Sequence, residues 1–211
     1  RIFELLNQDS FLKNDLELID QLFVKQVDVS MCIPIKVKEF TDFYSSYHHA
    51  FNVGSLIRGP ENALMPNWKH LPVAYHGRSS SIVLSGEKIK RPSGQILNPE
   101  TQTPIFSKTK RLDFELEMGM IIGKNSKLGH PIDINNSEEY IFGLVLVNDW
   151  SARDIQTWEY RPLGPFLGKN FATSISPWIV TLDALEPFKI SSPEQDPAPL
   201  NYLKFNGKGN Y

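Results

Sequence analysis

A run of alternating apolar and acidic residues at positions 112–118 (LDFELEM) constrains the fold of this chain more than any other stretch. Its period of two predicts a β-strand, in which successive side chains point to opposite faces of a sheet. Glu115 and Glu117 would then lie on one face, while Phe114 and Leu116 would face a core. The two carboxylates repel each other, and a hard divalent cation with oxygen ligands would relieve that repulsion. The solvated face of an ordinary amphipathic strand explains the same pattern, so residues 112–118 alone leave both interpretations open.

The composition narrows the class of protein. The 211 residues carry a net charge of −2 with a pI near 6.2, which provides no electrostatic basis for binding nucleic acid or an anionic membrane. A single cysteine excludes an intrachain disulfide framework and fits a reducing compartment, so we expect a cytoplasmic protein. No apolar run approaches membrane-spanning length. The chain opens at Arg1 rather than at a methionine and closes on a turn-like stretch at 206–211, so we expect a piece of a longer protein.

Several other stretches carry signals of regular structure. An apolar pattern with mostly helical spacing follows the potential N-cap Ser10, whereas a continuously apolar run is typical of a strand that is buried on both faces. The sequence predicts a connecting helix over residues 10–27, an extended segment over 29–37, a hairpin over 81–89 and a buried strand over 142–147.

Two polar stretches are candidates for a functional site. Residues 41–54 (TDFYSSYHHAFNVG) are too polar for a core element and too aromatic for a linker, which predicts a functional loop that runs into a short helix. His48 and His49 are adjacent, so at most one of them is expected to enter a given site. Asp149 follows the predicted buried strand and precedes a helix expected over 152–160, opened by Ser151. It is either an active-site carboxylate or a second helix cap.

The segment 163–170 (LGPFLGKN) resembles a phosphate-binding loop only superficially. Three residues separate Gly164 from Gly168, and Asn170 stands where such a loop requires Ser or Thr. The two glycines ahead of Lys169 instead allow the backbone to approach a ligand closely, or they simply form a turn.

Residues 41–54, 112–118 and 148–173 together closely resemble the fumarylacetoacetate hydrolase family, and the resemblance extends from Glu39 to Leu203. It implies a mainly β fold with short helices (α+β), a mixed β-sandwich roll of the family's C-terminal type that is truncated here. Residues 1–36 would be a connecting helix and the tail of a missing N-terminal domain, and residues 37–211 an incomplete catalytic domain. The implied reaction is hydrolysis of the carbon–carbon bond of fumarylacetoacetate to fumarate and acetoacetate, the last step of tyrosine and phenylalanine catabolism.

The resemblance also implies roles for individual residues, a bound Ca²⁺ or Mg²⁺, a small diketo diacid substrate and a homodimer. The implied catalytic residues are His49, Arg153 and Lys169. The implied substrate contacts are Tyr44, Arg58, Gln156 and Tyr160. The implied metal ligands are Asp42, Glu115, Glu117 and Asp149, with Lys169 and Thr173 at a second, magnesium-type position that also uses Asp149.

The chemistry of the implied reaction explains these residue types. A divalent ion that holds both diketone oxygens stabilises the enolate leaving group, and a neutral imidazole removes a proton from the attacking water. In the family, a glutamate that orients this histidine lies outside the present chain, so we expect residues 1–211 alone to have weak or no activity. A superfamily relative acting on acylpyruvates or oxaloacetate, or a non-catalytic metal-binding β-module, would carry part of the same pattern.

Overall fold

Residues 2–205 are described by the computed structural model, and within them eleven strands outnumber six short α-helices. The mainly β fold with short helices is therefore confirmed. No helix among these residues is long and apolar enough to cross a bilayer. The strands are β1 (Thr41–Phe43), β2 (Ala74–His76), β3 (Ile82–Leu84), β4 (Ser93–Leu97), β5 (Pro104–Lys108), β6 (Leu112–Asp113), β7 (Leu116–Ile122), β8 (Ile141–Asp149), β9 (Ser151–Ala152), β10 (Thr173–Ile175) and β11 (Val180–Thr181). The α-helices are α1 (Ile2–Leu6), α2 (Leu16–Leu22), α3 (Tyr47–Arg58), α4 (Arg153–Glu159), α5 (Leu167–Asn170) and α6 (Leu182–Leu185).

The chain divides into two compact units, Arg1–Cys32 and Ile33–Tyr211. In the first unit the single helix predicted over residues 10–27 is wrong, because Ser10 and Asp15 cap two separate turns. The Ser10 hydroxyl accepts a hydrogen bond from the amide of Leu12 at 3.1 Å, and the Asp15 carboxylate accepts one from Leu18 at 3.0 Å. The assignment of residues 1–36 to a preceding domain stays a prediction, and the turn predicted at 206–211 lies outside the described residues.

The largest sheet of the second unit is built around β8, which confirms the strand predicted over 142–147. The prediction that this strand is buried on both faces is wrong, since Phe142 and Leu146 are 55% and 56% exposed. β10 and β11 pair antiparallel with successive parts of one edge of β8, β3 pairs in parallel with β10, and β7 pairs antiparallel with the other edge of β8. Gly143 lets β11 approach closely, since a Cβ there would lie 2.5 Å from the carbonyl oxygen of Val180. The strand ends at Asp149, whose Cα partner on β10 is Thr173.

Two local predictions fail because distant partners decide the structure. The hairpin predicted over 81–89 is wrong, since β3 pairs in parallel with β10. The helix predicted over 152–160 is confirmed as α4, but Ser151 does not cap it. Ser151 lies in β9, where its hydroxyl donates to the carbonyl of Asp149 at 3.0 Å. Asp154 accepts a hydrogen bond from the amide of Lys110 at 2.8 Å, and so ties α4 to the turn before β6.

The predicted strand over 112–118 is interrupted at Phe114 and Glu115, between β6 and β7. The expectation that Phe114 and Leu116 face a core is wrong in this chain, because they are 64% and 74% exposed. Alternate side chains along β7, together with two on β8, form an apolar surface that we call the exposed sheet face. Its members are Leu116, Met118, Met120, Ile122, Phe142 and Leu146.

A small hydrophobic core fixes the position of α4. Ile155 is 1% exposed and packs with Ile96 and Ala152, while Ile105 and Phe171 close the cluster. The hairpin formed by β4 and β5 thereby supports the helix from which Arg153 projects.

Candidate metal and catalytic site

Three carboxylates from three different strands converge on one point. Asp42 lies on β1, Glu117 on β7 and Asp149 at the end of β8, and an oxygen atom from each lies within 4.8 Å of the others. Asp42 reaches this point because β1 pairs with β2, whereas Glu117 and Asp149 are brought together by the β7–β8 pairing. Glu115 borders the group, and we call Asp42, Glu115, Glu117 and Asp149 the carboxylate cluster.

Glu115 occupies the interruption between β6 and β7 and faces cations. Its amide donates to the side-chain oxygen of Asn148 at 3.3 Å, and its carbonyl accepts from the amide of Asp149 at 3.1 Å. These two bonds fix the backbone where the strand is broken. Its buried Oε1 lies 2.7 Å from Lys169 Nζ and 2.7 Å from an Arg153 guanidinium nitrogen.

The pKa values of Asp42, Glu115 and Glu117 diverge because Lys169 and Arg153 both contact Glu115. Burial and then the charge of Asp149 raise the pKa of Asp42 to about 6. Burial and then the charges of Asp42 and Asp149 raise the pKa of Glu117 to about 8. Burial would also raise the pKa of Glu115, but the bond to His49 and the charge of Lys169 hold it well below its ordinary range. Without a metal ion, the protein therefore keeps a proton on Glu117 at neutral pH.

Two buried cations join the cluster from the helices that follow β8. Lys169 is 5% exposed, and its Nζ lies 2.8 Å from Asp149 Oδ2 as well as 2.7 Å from Glu115. Arg153 is 6% exposed, and its Nε donates to Asp113 Oδ2 at 2.9 Å. The guanidinium is thus held between two carboxylates, and this geometry fixes where its charge meets Glu115.

His49 approaches the cluster from α3. Its Nε2 lies 3.4 Å from Glu115 Oε1, and its ring meets the ring of Tyr44 edge-on at 5.6 Å. The neighbouring His48 instead meets Tyr47 at 5.6 Å, so only one of the two adjacent histidines faces the carboxylates. The helix is capped by Ser46, whose hydroxyl accepts from the amide of His49 at 3.4 Å.

Tyr44 and Arg58 stand beside this histidine. The hydroxyl of Tyr44 donates to the carbonyl of Ala50 at 3.0 Å, and its pKa is raised by burial. The guanidinium of Arg58 donates to the carbonyls of Asn62 and Ala63 in the turn that follows α3. The turn can approach so closely because Gly54 has no side chain to collide with the Ala63 carbonyl.

The remaining residues implied by the resemblance lie at different distances from the cluster. Gln156 accepts a hydrogen bond from Arg153 at 3.0 Å, and Thr173 is buried beside Asp149 on the neighbouring strand. Tyr160 follows α4, and its ring lies 5.1 Å from the guanidinium carbon of Arg161. The structure therefore connects Gln156 to the cluster through Arg153 and places Thr173 beside Asp149, while the role of Tyr160 stays a prediction.

Sequence reasoning assigned no role to two side chains that hold the site together. The hydroxyl of Tyr75 donates to Asp149 Oδ2 at 3.2 Å and also lies against Asp42, its Cα partner across β1 and β2. Glu159 accepts hydrogen bonds from three backbone amides at the start of α5. Neither residue forms a recognisable local motif, because the partners of Tyr75 are distant in sequence and those of Glu159 are backbone groups.

The donor set of the cluster fits a hard divalent cation. The converging ligand atoms of Asp42, Glu117 and Asp149 are carboxylate oxygens, which Ca²⁺ and Mg²⁺ prefer. No sulfur or imidazole is among these three ligands. Burial first, and like charges second, raise the pKa values of Asp42 and Glu117. A bound cation would compensate these like charges.

The sequence of this chain matches one known protein family and its members. A sequence model of the fumarylacetoacetate hydrolase C-terminal family matches residues 38–195. Fumarylacetoacetase of Bos taurus is 58% identical over 192 residues, covering 91% of this chain and 46% of that protein. The Arabidopsis thaliana enzyme is 54% identical over 207 residues, covering 98% of this chain and 49% of that protein. The chain thus spans about half the length of the curated relatives it matches.

A solved structure agrees at the level of fold. It is that of a Mycobacterium smegmatis protein provisionally named HpcE, which superposes with a TM-score of 0.50 at 20% identity. The match covers 82% of this chain and 53% of that one. It supports the architecture described above and carries no information about substrate.

Proposed function

The chain belongs to the fumarylacetoacetate hydrolase family, and from this premise we propose that the whole protein hydrolyses fumarylacetoacetate to fumarate and acetoacetate. Relatives bearing the name fumarylacetoacetase are 52–58% identical to it. The observation that carries the proposal is the convergence of Asp42, Glu117 and Asp149 beside the contact between Glu115 and His49. The reaction would be the last step of tyrosine and phenylalanine catabolism, carried out by a cytoplasmic homodimer.

We assign the metal position to Asp42, Glu117 and Asp149, with Glu115 as the fourth ligand implied by the resemblance. When bound, Ca²⁺ or Mg²⁺ would act as a Lewis acid towards the diketone oxygens and stabilise the enolate that leaves. Four carboxylates, two buried cations and one divalent ion would leave the site close to neutral, so a doubly charged substrate could enter without strong repulsion.

His49 is the proposed general base. Its Nε2 lies 3.4 Å from Glu115 Oε1 and is the ring nitrogen that would take a proton from water at the cluster, while Nδ1–H would donate to the orienting glutamate that the resemblance places outside this chain. Glu115 would stabilise the imidazolium that forms, because its pKa is held low and it stays a carboxylate at any physiological pH. Two cations, Lys169 and Arg153, fix Glu115 in this position.

Lys169 and Arg153 are the proposed stabilisers of negative charge at the attacked carbonyl. Both are buried and meet at one oxygen of Glu115, so their charges are only weakly screened by solvent. We assign the recognition of the two substrate carboxylates to the polar groups around them. These are Tyr44, Arg58, Gln156 and Tyr160, while Thr173 is assigned to the second ion position together with Lys169 and Asp149.

The test is turnover of fumarylacetoacetate by the full-length protein, compared with an acylpyruvate and with oxaloacetate at equal concentration. We expect fumarate and acetoacetate as products, loss of activity after chelation and recovery with Ca²⁺ or Mg²⁺. Preferred turnover of either competing substrate would reassign the protein to another branch of the superfamily. Ion binding without turnover of any of the three would identify it as a non-catalytic metal-binding module.

A further inference from the structure

Glu159, the last residue of α4, binds the start of α5 through its carboxylate. Its Oε1 accepts hydrogen bonds from the amides of Phe166 at 2.8 Å and Gly168 at 2.7 Å. Its Oε2 accepts from the amide of Leu167 at 3.0 Å. Three backbone donors that a helix normally leaves without a partner at its N-terminus are thereby satisfied by one side chain.

The helix α5 depends on this contact because it is too short to be stable alone. It has four residues, and the side chain of its N-cap residue Phe166 provides no capping hydrogen bond. Isolated helices of this length do not form in water, since nucleation costs more than a single turn returns. The geometry of α5 must therefore come from its neighbours, and Glu159 is the side chain that binds its first turn.

Lys169 follows directly after the three residues whose amides bind Glu159. Its buried ammonium lies 2.7 Å from Glu115 and 2.8 Å from Asp149, so any displacement of α5 displaces a charge inside the carboxylate cluster. Gly168 keeps the two helices in direct backbone contact, because a Cβ at that position would lie 2.8 Å from the amide nitrogen of Gln156.

The helix α4 carries the second cation of the site. Arg153 projects from its first turn and reaches the same Glu115 oxygen that Lys169 reaches, at 2.7 Å. Glu159 stands at the other end of α4, so it joins the helix that presents Arg153 to the helix that presents Lys169. One carboxylate outside the carboxylate cluster thus joins the two helices that carry its cations.

We propose that Glu159 is a positioning residue that acts through Lys169, holding its ammonium between Glu115 and Asp149. The catalytic meaning of this role rests on the function proposed above, whereas the positioning itself does not. A simple helix cap without a functional role would stabilise the fold and leave the environment of Lys169 unchanged when weakened. The two interpretations therefore differ in what Glu159 substitutions do to the Lys169 amine.

The first test reads the position of Lys169 directly in the full-length protein. Trace acetylation with acetic anhydride, followed by peptide mass spectrometry, compares buried Lys169 with Lys124, whose side chain is 54% exposed. We expect Glu159→Ala to raise the acetylation rate of Lys169 at least about fivefold while that of Lys124 stays constant. Glu159→Gln should raise it less, because its single carbonyl oxygen can still accept from Phe166 and Gly168.

The matched control is Glu100→Ala, which removes an exposed glutamate that is not part of the Lys124–Glu139 ion pair. It should leave the rate at Lys169 unchanged. If Glu159→Ala fails to fold, Glu159→Gln alone makes the comparison. An unchanged Lys169 rate in a folded Glu159 variant overturns the proposal, whereas a raised rate supports it.

The second test asks whether Glu159 acts through Lys169 during turnover. A misplaced catalytic group costs on the order of 10²-fold in rate, so Glu159→Ala should lower kcat by about 10- to 100-fold, with Glu159→Gln in between. In a Lys169→Met background the same change should alter kcat less than about twofold, because the group that it positions is already gone. Additive losses would overturn the proposal. Absence of turnover in the wild type would refute the proposed function and leave the acetylation result to decide the positioning.

Discussion

Glu117 and Glu115 have very different pKa values, although they lie in the same site. Glu117 is surrounded by Asp42, Asp149 and Glu115, and burial together with these charges raises its pKa to about 8. Glu115, only two residues away in sequence, has a lowered pKa because His49 and Lys169 face it. Two glutamates on one short segment therefore differ in charge at neutral pH, and under the proposed function Glu117 would exchange its proton for a cation while Glu115 stays charged.

Divalent ion binding should become tighter as pH rises through the pKa values of Glu117 and Asp42. These are about 8 and about 6, and each proton that must leave weakens binding up to about tenfold per pH unit below its pKa. Calorimetric titration of the ion-free full-length protein with Ca²⁺ between pH 5 and 9 measures this. Glu117→Gln should bind more weakly and lose the slope above pH 7. A constant affinity over this range would contradict the assignment.

The same raised pKa makes the ion-free fold depend on pH in a defined direction. The folded protein holds a proton on Glu117 that the unfolded chain, with an ordinary pKa of 4.5, releases. The stability that this proton contributes is fully present below 4.5 and is lost as pH rises through about 8. We expect the thermal midpoint to fall less between pH 5 and 8 in Glu117→Gln than in wild type. An identical fall in both proteins would refute the raised pKa.

Tyr75 should support ion binding without touching the ion. Its hydroxyl donates to Asp149 at 3.2 Å and lies against Asp42, so Tyr75→Phe leaves two ligands less firmly oriented. Partners of metal ligands typically contribute 10- to 100-fold in affinity, and we expect a loss of about tenfold for Ca²⁺ by calorimetry. The control is Tyr202→Phe, at a side chain that is 66% exposed. Equal Ca²⁺ affinity in the two variants would show that Tyr75 does not support ion binding.

At the scale of elements, the structure shows which parts of the sequence were informative. The apolar run at 142–147 predicted the strand β8 correctly but not its burial on both faces, because Phe142 and Leu146 are 55% and 56% exposed. The parallel pairing of β3 with β10 left no local signal, since its hydrogen bonds join segments about ninety residues apart. The four carboxylates of the cluster were predicted as one set from the family resemblance and not from periodicity. Only Glu115 and Glu117 were paired by local pattern, and the strand that carries them is interrupted between Asp113 and Leu116.

The contact between β8 and β11 provides a test of the central sheet. A Cβ at Gly143 would lie 2.5 Å from the carbonyl oxygen of Val180, which is backbone and cannot rotate away. Gly143→Ala should therefore separate β11 from β8 and lower the free energy of unfolding by about 1–3 kcal/mol, measured by urea denaturation of the full-length protein. The ion affinity should change little, because Asp149 lies at the other end of β8. Unchanged stability would show that the edge strand moves at no cost.

At the scale of the whole molecule, the exposed sheet face is the feature that the described residues leave unpartnered. Leu116, Met120 and Ile122 are 74%, 61% and 65% exposed on one strand, and contiguous apolar surfaces of this kind are uncommon on proteins in water. The curated relatives are about twice as long as this chain, which spans 46–49% of them. In a full-length protein of the relatives' length, additional residues could pack on the exposed sheet face.

We therefore expect residues 1–211 alone to differ from a full-length version in two linked measurements. The isolated segment should bind the apolar dye ANS strongly through the exposed sheet face, whereas the full-length protein should bind it weakly. Met118→Lys, which adds a charge to that face at a 54% exposed side chain, should reduce dye binding by the segment. The segment should also turn over fumarylacetoacetate weakly or not at all, since the resemblance assigns the partner of His49 to chain beyond it. Comparable turnover by the two proteins would show that the residues described here are sufficient for catalysis.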